Sequence, residues 1–537
     1  MDRTGFTERD IERQKFVFYL DRNPTEARKW LSRLSNRPSD GQPTLDATCF
    51  REVLLKCLEQ KEVELGRHVL SEVVKGHLTT AHCDAVLLWA LGTGKGIEEV
   101  DRMKEVLERR SGIKLGLGAI HLLIRFAKDK DDHYMVERLR GLVESWGLQP
   151  DWITYSLQMD SRLSAGDIEG AKSLFFKMQT DQSHDERPQT PVINRLIQAM
   201  ISSKNYDLDA IHSVVDFLSE RRIRYEPETV AALCVLHLGR EDYYDTIDLL
   251  RAHLFHFSTD ERNVVGRALN EYCLDEKNSV AKVWDTYTIY QELLPEIDRS
   301  IRTEIMIEFF KRHRPDMAFH VFNHMRAFTR EDTRPTIDTY VHAFTWIGNL
   351  GDVETLELVH NQLKLDMTVD PDTRLYNAMM IAHIGCNMSD RALDFWQDII
   401  HSREGPSYNS IIIALRACER THGGDDEAKD IWDKLMKMDI EITGQLFTAY
   451  VGALSGSDLT DEAKDLIMGM DKYGLKPDVL TLGALHNAST LIGRRSEIRD
   501  WIKDEFPLLW NELVDIGTHQ TKTGFKQFMI DRSLSSS

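Results

Sequence analysis

The residues that could do covalent chemistry are few and badly spaced for it. Gly92-Thr93-Gly94-Lys95-Gly96 has the glycines and lysine of a phosphate-cradling loop. That loop needs a glycine five positions before Gly94 and a Ser or Thr after the lysine. Trp89 and Gly96 stand there instead, so the segment reads as a tight turn between two helices. His82 and Cys83 form a lone pair with no partner at zinc spacing, and His82 reads as a helix-end residue. No His-Glu-x-x-His and no Gly-x-Ser-x-Gly occurs. The expectation is a chain with no catalytic residues, no metal, no cofactor and no small-molecule substrate.

The seven cysteines (Cys49, Cys57, Cys83, Cys234, Cys273, Cys386 and Cys418) are odd in number, scattered and free of any C-x-x-C, which argues for a reducing compartment. Most lie in apolar helical text such as Ala231-Ala232-Leu233-Cys234 and read as small buried thiols. A formal charge of −20, from 87 acidic against 67 basic side chains, is no general magnet for nucleic acid or anionic lipid, although it leaves room for a local basic groove. No apolar run approaches the roughly 18 residues of a membrane span. The opening segment mixes Asp2, Glu8, Asp10, Glu12 and Asp21 with basic residues, so no transit peptide is visible in it. That reads as a mature start, a trimmed gene model or a protein that stays where it is made.

What must position any binding residue is a repeat. A length of 537 residues would ordinarily imply three or four domains of roughly 150 residues each, but self-similarity replaces them. Pro335-Thr336-Ile337-Asp338-Thr339-Tyr340, Pro371-Asp372-Thr373-Arg374-Leu375-Tyr376, Pro406-Ser407-Tyr408, Leu446-Phe447-Thr448 and Pro477-Asp478-Val479 open successive segments. Their apolar anchors Tyr340, Tyr376, Tyr408, Phe447 and Leu482 are spaced 36, 32, 39 and 35 apart, and the longest interval reads as a loop insertion at Thr421–Asp426. A second element recurs around Ala392, Ala428 and Ala463, which are 36 and 35 apart. Each such element opens with an acidic residue and carries a small alanine on its inward face. Upstream, Pro150-Asp151-Trp152-Ile153-Thr154-Tyr155 and Thr190-Pro191-Val192-Ile193 repeat the pattern, while roughly 258–330 is helical but blurred.

The expected fold is therefore all-α, a helix-turn-helix repeat solenoid of about 12–13 units stacked neighbour on neighbour. Its expected parts are an N-terminal helical segment over 1–42, the solenoid over 43–500 with its clearest repeats at 150–195 and 335–485, and a capping helix with a frayed tail over 501–537. Trp346, Trp396 and Trp432 read as packing between repeats rather than as a stacking platform.

The Pro-Asp linkers, the Tyr-Asn opening at Tyr376-Asn377 and the Asp-Glu-Ala opening at Asp426-Glu427-Ala428 resemble the pentatricopeptide repeat family, in its degenerate fungal or animal form. The competing tetratricopeptide signature of Trp, Leu-Gly and Tyr is absent from these openings. The resemblance implies a right-handed superhelix whose first helices line a groove holding single-stranded RNA, one base per repeat. It implies base-reading pairs Val341 with Asp372, Asn377 with Glu404, Asn409 with Thr443, and Thr448 with Asp478. The same residues read equally well as helix caps and turn residues. Members that bind RNA place a Lys or Arg near the end of the first helix, whereas this chain has Ser164, Asn349, Gly385, Ala417 and Gly456. The first functional expectation is a non-catalytic binder of single-stranded mitochondrial RNA, acting in its maturation, stability or translation. The alternative is a protein-binding scaffold, since fungal relatives of this repeat class include an assembly factor of respiratory complex I. A tetratricopeptide-like cytosolic adaptor is a third reading. The mitochondrial location rests on the resemblance alone.

Overall fold

The computed structural model describes residues 8–20, 26–27, 29–30, 33, 45–181, 190–204, 206–328, 330–520 and 524–536. Much of the expected N-terminal segment 1–42 thus lies outside the described residues. From Ala47 onward the described chain is a succession of 13 antiparallel helical pairs, followed by a last helix and a short hairpin. It divides into two compact units, Met1–Leu233 and Cys234–Ser537. In the first, pairs such as Thr80–Gly92 with Ile97–Ser111 and Leu117–Asp129 with His133–Ser145 stack on one continuous core that includes Phe50, Val86, Ile120 and Leu139. The blurred stretch of the sequence resolves into two ordinary pairs, Thr259–Leu274 with Val280–Leu293 and Arg299–Lys311 with Pro315–Ala327.

The second unit carries the clearest repeats, and its first helices are Ile337–Leu350, Thr373–Gly385, Tyr408–Cys418, Gly444–Gly456 and Val479–Ala488. Each begins at a side chain suited to capping: Thr336, Asp372, Ser407, Thr443 and Asp478. A cap oxygen accepts a hydrogen bond from the third helical amide and so fixes where the helix starts; Asp478 accepts from Thr481 at 2.7 Å. The caps recur at intervals of 36, 35, 36 and 35 residues. This corrects the register read from the sequence. The anchor of the third repeat is Ile411, four residues after its cap and buried, whereas Tyr408 is the first helical residue and is 46% exposed.

The turns inside the pairs carry a second periodic mark. Gly351, Asn387, Gly423 and Asp458 all have positive φ, again 36, 36 and 35 apart. The Thr421–Asp426 loop is therefore an ordinary turn of this series and not an insertion. Ala392, Ala428 and Ala463 are fully buried on the second helices, as the pattern predicts. Trp396 and Trp432 are buried too, with Trp432 stacked on Tyr450 at 4.2 Å between ring centroids, and Trp346 is half-buried.

Successive first helices pack directly on one another to form a continuous wall. They approach so closely that a Cβ at Gly385 would run into the backbone of Gly348, and one at Gly456 into the backbone of Glu419. After the last pair come helix Pro507–Ile516 and an antiparallel hairpin of Thr518–Gln520 with Lys526–Phe528. The hairpin was not foreseen, and neither was the course of the residues that follow it.

Candidate binding groove of the second unit

The hairpin is fastened to the last first helix by backbone capture. Asn487 accepts from the Phe528 amide at 2.9 Å and donates to the Phe528 carbonyl at 2.9 Å, which is what a paired strand would do. The buried Arg495 donates to the carbonyls of Ser489, Asn487 and Lys526, and the Phe528 ring stands edge-on to His486 and Trp510. From this anchor the tail crosses the wall of first helices. Ile530 sits over Gly483, where a Cβ would meet it at 2.9 Å. Arg532 reaches Glu419, Leu534 packs on the apolar core of the wall, and the Ser536 carbonyl accepts from Asn377 Nδ2 at 3.0 Å. Residues expected to fray are thus seated down to Ser536.

Glu419 is the electrostatic centre of this groove. It is 7% exposed and receives both Arg416 and Arg532, the latter through two hydrogen bonds of 3.3 and 2.8 Å. Burial pushes its carboxyl up, but the two guanidiniums outweigh burial and hold it below its ordinary value. Gly452 provides the room: a Cβ there would lie 2.6 Å from the Glu419 carboxylate and 2.7 Å from the Arg532 guanidinium. Beside the tail lies a cleft of about 720 Å³, walled by Tyr408, Asn409, Ile412, Thr448 and Asp478 on one side and Asp531–Ser535 on the other.

The residues singled out from the sequence fall into four groups. Asp372, Thr443 and Asp478 are helix caps whose side chains accept from the amides of Leu375, Leu446 and Thr481. Glu404 lies in the loop that leads into Tyr408–Cys418 and accepts from the amide and hydroxyl of Thr373, one repeat earlier. Val341, Asn377 and Thr448 share the fifth position after their caps, and the place equivalent to theirs in the third repeat is held by Ile412. Asn409 belongs to the first turn of its helix and lines the cleft, three residues ahead of the place equivalent to Asn377 and Thr448, so its pairing with Thr443 is out of register. Thr448 is hydrogen-bonded to Thr481 at 2.8 Å, and Asn377 holds the tail. Sequence reasoning missed Glu419, Gly452, Asn487 and Arg532, because their partners lie up to 113 residues away and follow no repeat period.

At three of the five expected basic positions the absence of a cation has a steric cause, whereas Ser164 and Asn349 are exposed. Gly385 and Gly456 are points of backbone contact, and Ala417 is fully buried, so a long cation has no space there. Among other arginines, Arg330 pairs with Asp332 and Arg374 with Asp338. Arg299, Arg330, Arg334 and Arg374 surround one cleft together with Glu331, Asp332, Asp338 and Asp370. In the first unit, Lys128 and Arg195 both close on the buried Asp160. Cys57, Cys273 and Cys418 are buried thiols pushed up to about 12, which makes them inert packing groups. His82 is held between Thr79 and the Leu45 carbonyl as a helix-start residue, and Gly94 turns the chain with φ of 84°. Among the described residues no helix is long and apolar enough to cross a membrane.

No protein-family model matches the chain. It is 30% identical over 465 residues, 84% of its own length, to a Neurospora crassa protein named complex I intermediate-associated protein 84, mitochondrial, of which it spans 54%. A chloroplastic pentatricopeptide repeat-containing protein of Arabidopsis thaliana is 26% identical over 202 residues, which is 37% of this chain and 24% of that protein. Among solved structures, a maize pentatricopeptide repeat protein aligns over 94% of this chain and 79% of its own at 15% identity and a TM-score of 0.33. Yeast Rmd9p with a 16-nucleotide target RNA aligns over 93% and 96% at 11% identity and a TM-score of 0.36. In its stacked helical pairs, 35- to 36-residue period and sequence relatives, this chain is a helical-repeat solenoid similar to the pentatricopeptide repeat proteins.

Proposed function

We propose that the chain is a non-catalytic scaffold of the mitochondrion that binds protein during assembly of respiratory complex I. The observation that carries this reading is the likeness to complex I intermediate-associated protein 84, which runs across 84% of the chain rather than through isolated repeats. The groove chemistry agrees with it. Single-stranded RNA is held mostly by cations on its phosphates, and here none of the five phosphate-side positions is basic, Gly385, Ala417 and Gly456 have no room for a cation, and Arg330 and Arg374 are engaged in ion pairs. The same wall accommodates a polypeptide, through backbone capture by Asn377 and Asn487.

Single-stranded RNA is the second reading, and one observation favours it. Val341, Asn377, Ile412 and Thr448 occupy equivalent places on successive first helices, as a one-base-per-repeat reader requires. A titration of labelled mitochondrial RNA at several salt concentrations separates the two. The scaffold reading predicts affinity in the non-specific range at physiological salt. Tight, sequence-selective binding, with a slope near −0.7 for each phosphate contact in a log–log plot against salt, would establish RNA as the ligand.

A further inference from the structure

The tail after the hairpin is built into the groove rather than laid over it. Between Ile530 and Ser536 it touches four successive repeats, at Gly483, Gly452, Glu419 and Asn377. Neighbouring helices stand about 8–10 Å apart, so this path is roughly 25 Å long. Six residues reach only about 20 Å when fully extended, with side chains covering the remainder. A nearly straight polypeptide is therefore the shape this wall selects. At two of its glycines, Gly452 and Gly483, tail side chains stand where a Cβ would lie, joined at Gly452 by the Glu419 carboxylate.

The chemistry of the occupant is equally defined. A guanidinium meets the buried Glu419 carboxylate in a two-bond fork, a geometry that lysine cannot reproduce. An apolar side chain follows two residues later at Leu534, and a main-chain carbonyl then receives Asn377 Nδ2. Asn377 Oδ1 is buried and has no partner among the described residues, so one acceptor in the groove is left for a main-chain N–H. When the tail leaves, Glu419 loses one of its two cations while remaining inside the wall.

We propose that this groove is a docking site for an extended, arginine-bearing segment of a client protein, and that residues 529–536 occupy it as a tethered competitor. This rests on the scaffold reading above and adds the site and the kind of segment. The tether gives the tail an effective concentration of about a millimolar, so a client engages fully only where it outcompetes that local copy. The tail thereby sets a threshold against weak, arginine-poor peptides.

The test uses the full-length chain and a fluorescent peptide with the sequence of Phe528–Ser536. The Arg532→Ala chain should bind this peptide at least tenfold more tightly than the wild-type chain does. A peptide carrying Arg532→Ala should lose that affinity at least tenfold, and a Gly452→Ala chain, whose new methyl fills the guanidinium seat, should show no gain. Should the Arg532→Ala chain not fold, excess unlabelled peptide added to the wild-type chain should speed hydrogen exchange at the tail amides. Equal peptide binding by wild-type and Arg532→Ala chains, or indifference to the peptide arginine, would overturn the proposal. So would a single-stranded RNA that fills the groove of the Arg532→Ala chain and excludes the peptide. If a protein client co-purifies but never contests the tail, this site falls and the scaffold reading stands. If the peptide competes yet no client exists, the scaffold reading falls and the client role of the groove falls with it, leaving only the tail's own hold on Glu419.

Discussion

Asp478 shows how one residue can suit two accounts. It follows proline, lines the cleft and accepts from the Thr481 amide, so it serves its own helix whatever the groove holds. Replacing it with alanine should cost about 1 kcal/mol in urea unfolding, while asparagine, which can still cap, should cost far less. Equal stability of both variants would show that the cap contributes nothing. The same cap bond was open to inference from Pro477-Asp478, but whether the side chain also meets a ligand could not follow from residue type. Buried histidines make a second residue-level prediction. His324, His360 and His486 are each pulled down to about 4, mainly by burial, with the positive charges of Arg302, Lys364 and Arg495 acting in the same direction. The unfolded chain takes up these protons near pH 6.5 and the folded one only near 4, so stability is complete above the first value and is lost as pH falls towards the second. For His486, 4% exposed, the loss between pH 7 and 5 is at most about 2 kcal/mol. Urea midpoints at the two pH values should show the drop, and His486→Phe should lessen it; a flat profile would contradict the burial argument.

Among elements, the helical pairs were legible and their register was only partly so. Tyr340, Tyr376, Phe447 and Leu482 do mark the fourth residue of their helices, because an aromatic or large apolar side chain there packs into the neighbouring repeat. Tyr408 misled because Ile411 fills that place, and an aliphatic run of three isoleucines hides which one is the anchor. The left-handed turn positions escaped notice for a related reason. Glycine, asparagine and aspartate all fill them, so no single letter repeats. Close helix approach gives the test at this scale. Gly385→Ala would drive a methyl into the Gly348 backbone, and overpacking of this kind costs about 1–3 kcal/mol. Gly444→Ala, with open space around it, should be neutral or slightly stabilising. Thermal midpoints of the two variants check the wall directly, and equal midpoints would mean the helices do not touch there.

For the whole molecule, repetition explains why a chain of this length needs no large globular core, since each pair is stabilised by its neighbours. The features that bear on function break that repetition. A hairpin bound to Asn487, a tail bound to Glu419 and a set of glycine contacts are properties of particular repeats, formed by residues far apart in sequence. Periodicity cannot reveal them, which is why the fold was readable from the sequence and the content of the groove was not. The central claim is that the second unit's groove serves polypeptide clients. Its most direct measurement is affinity purification of the full chain from mitochondrial extract after exhaustive nuclease treatment, with proteins identified by mass spectrometry. The account predicts complex I subunits or assembly intermediates retained in stoichiometric amounts, and lost from a Glu419→Arg chain that still folds. Retention of no protein, with a defined transcript recovered when nuclease is omitted, would contradict it.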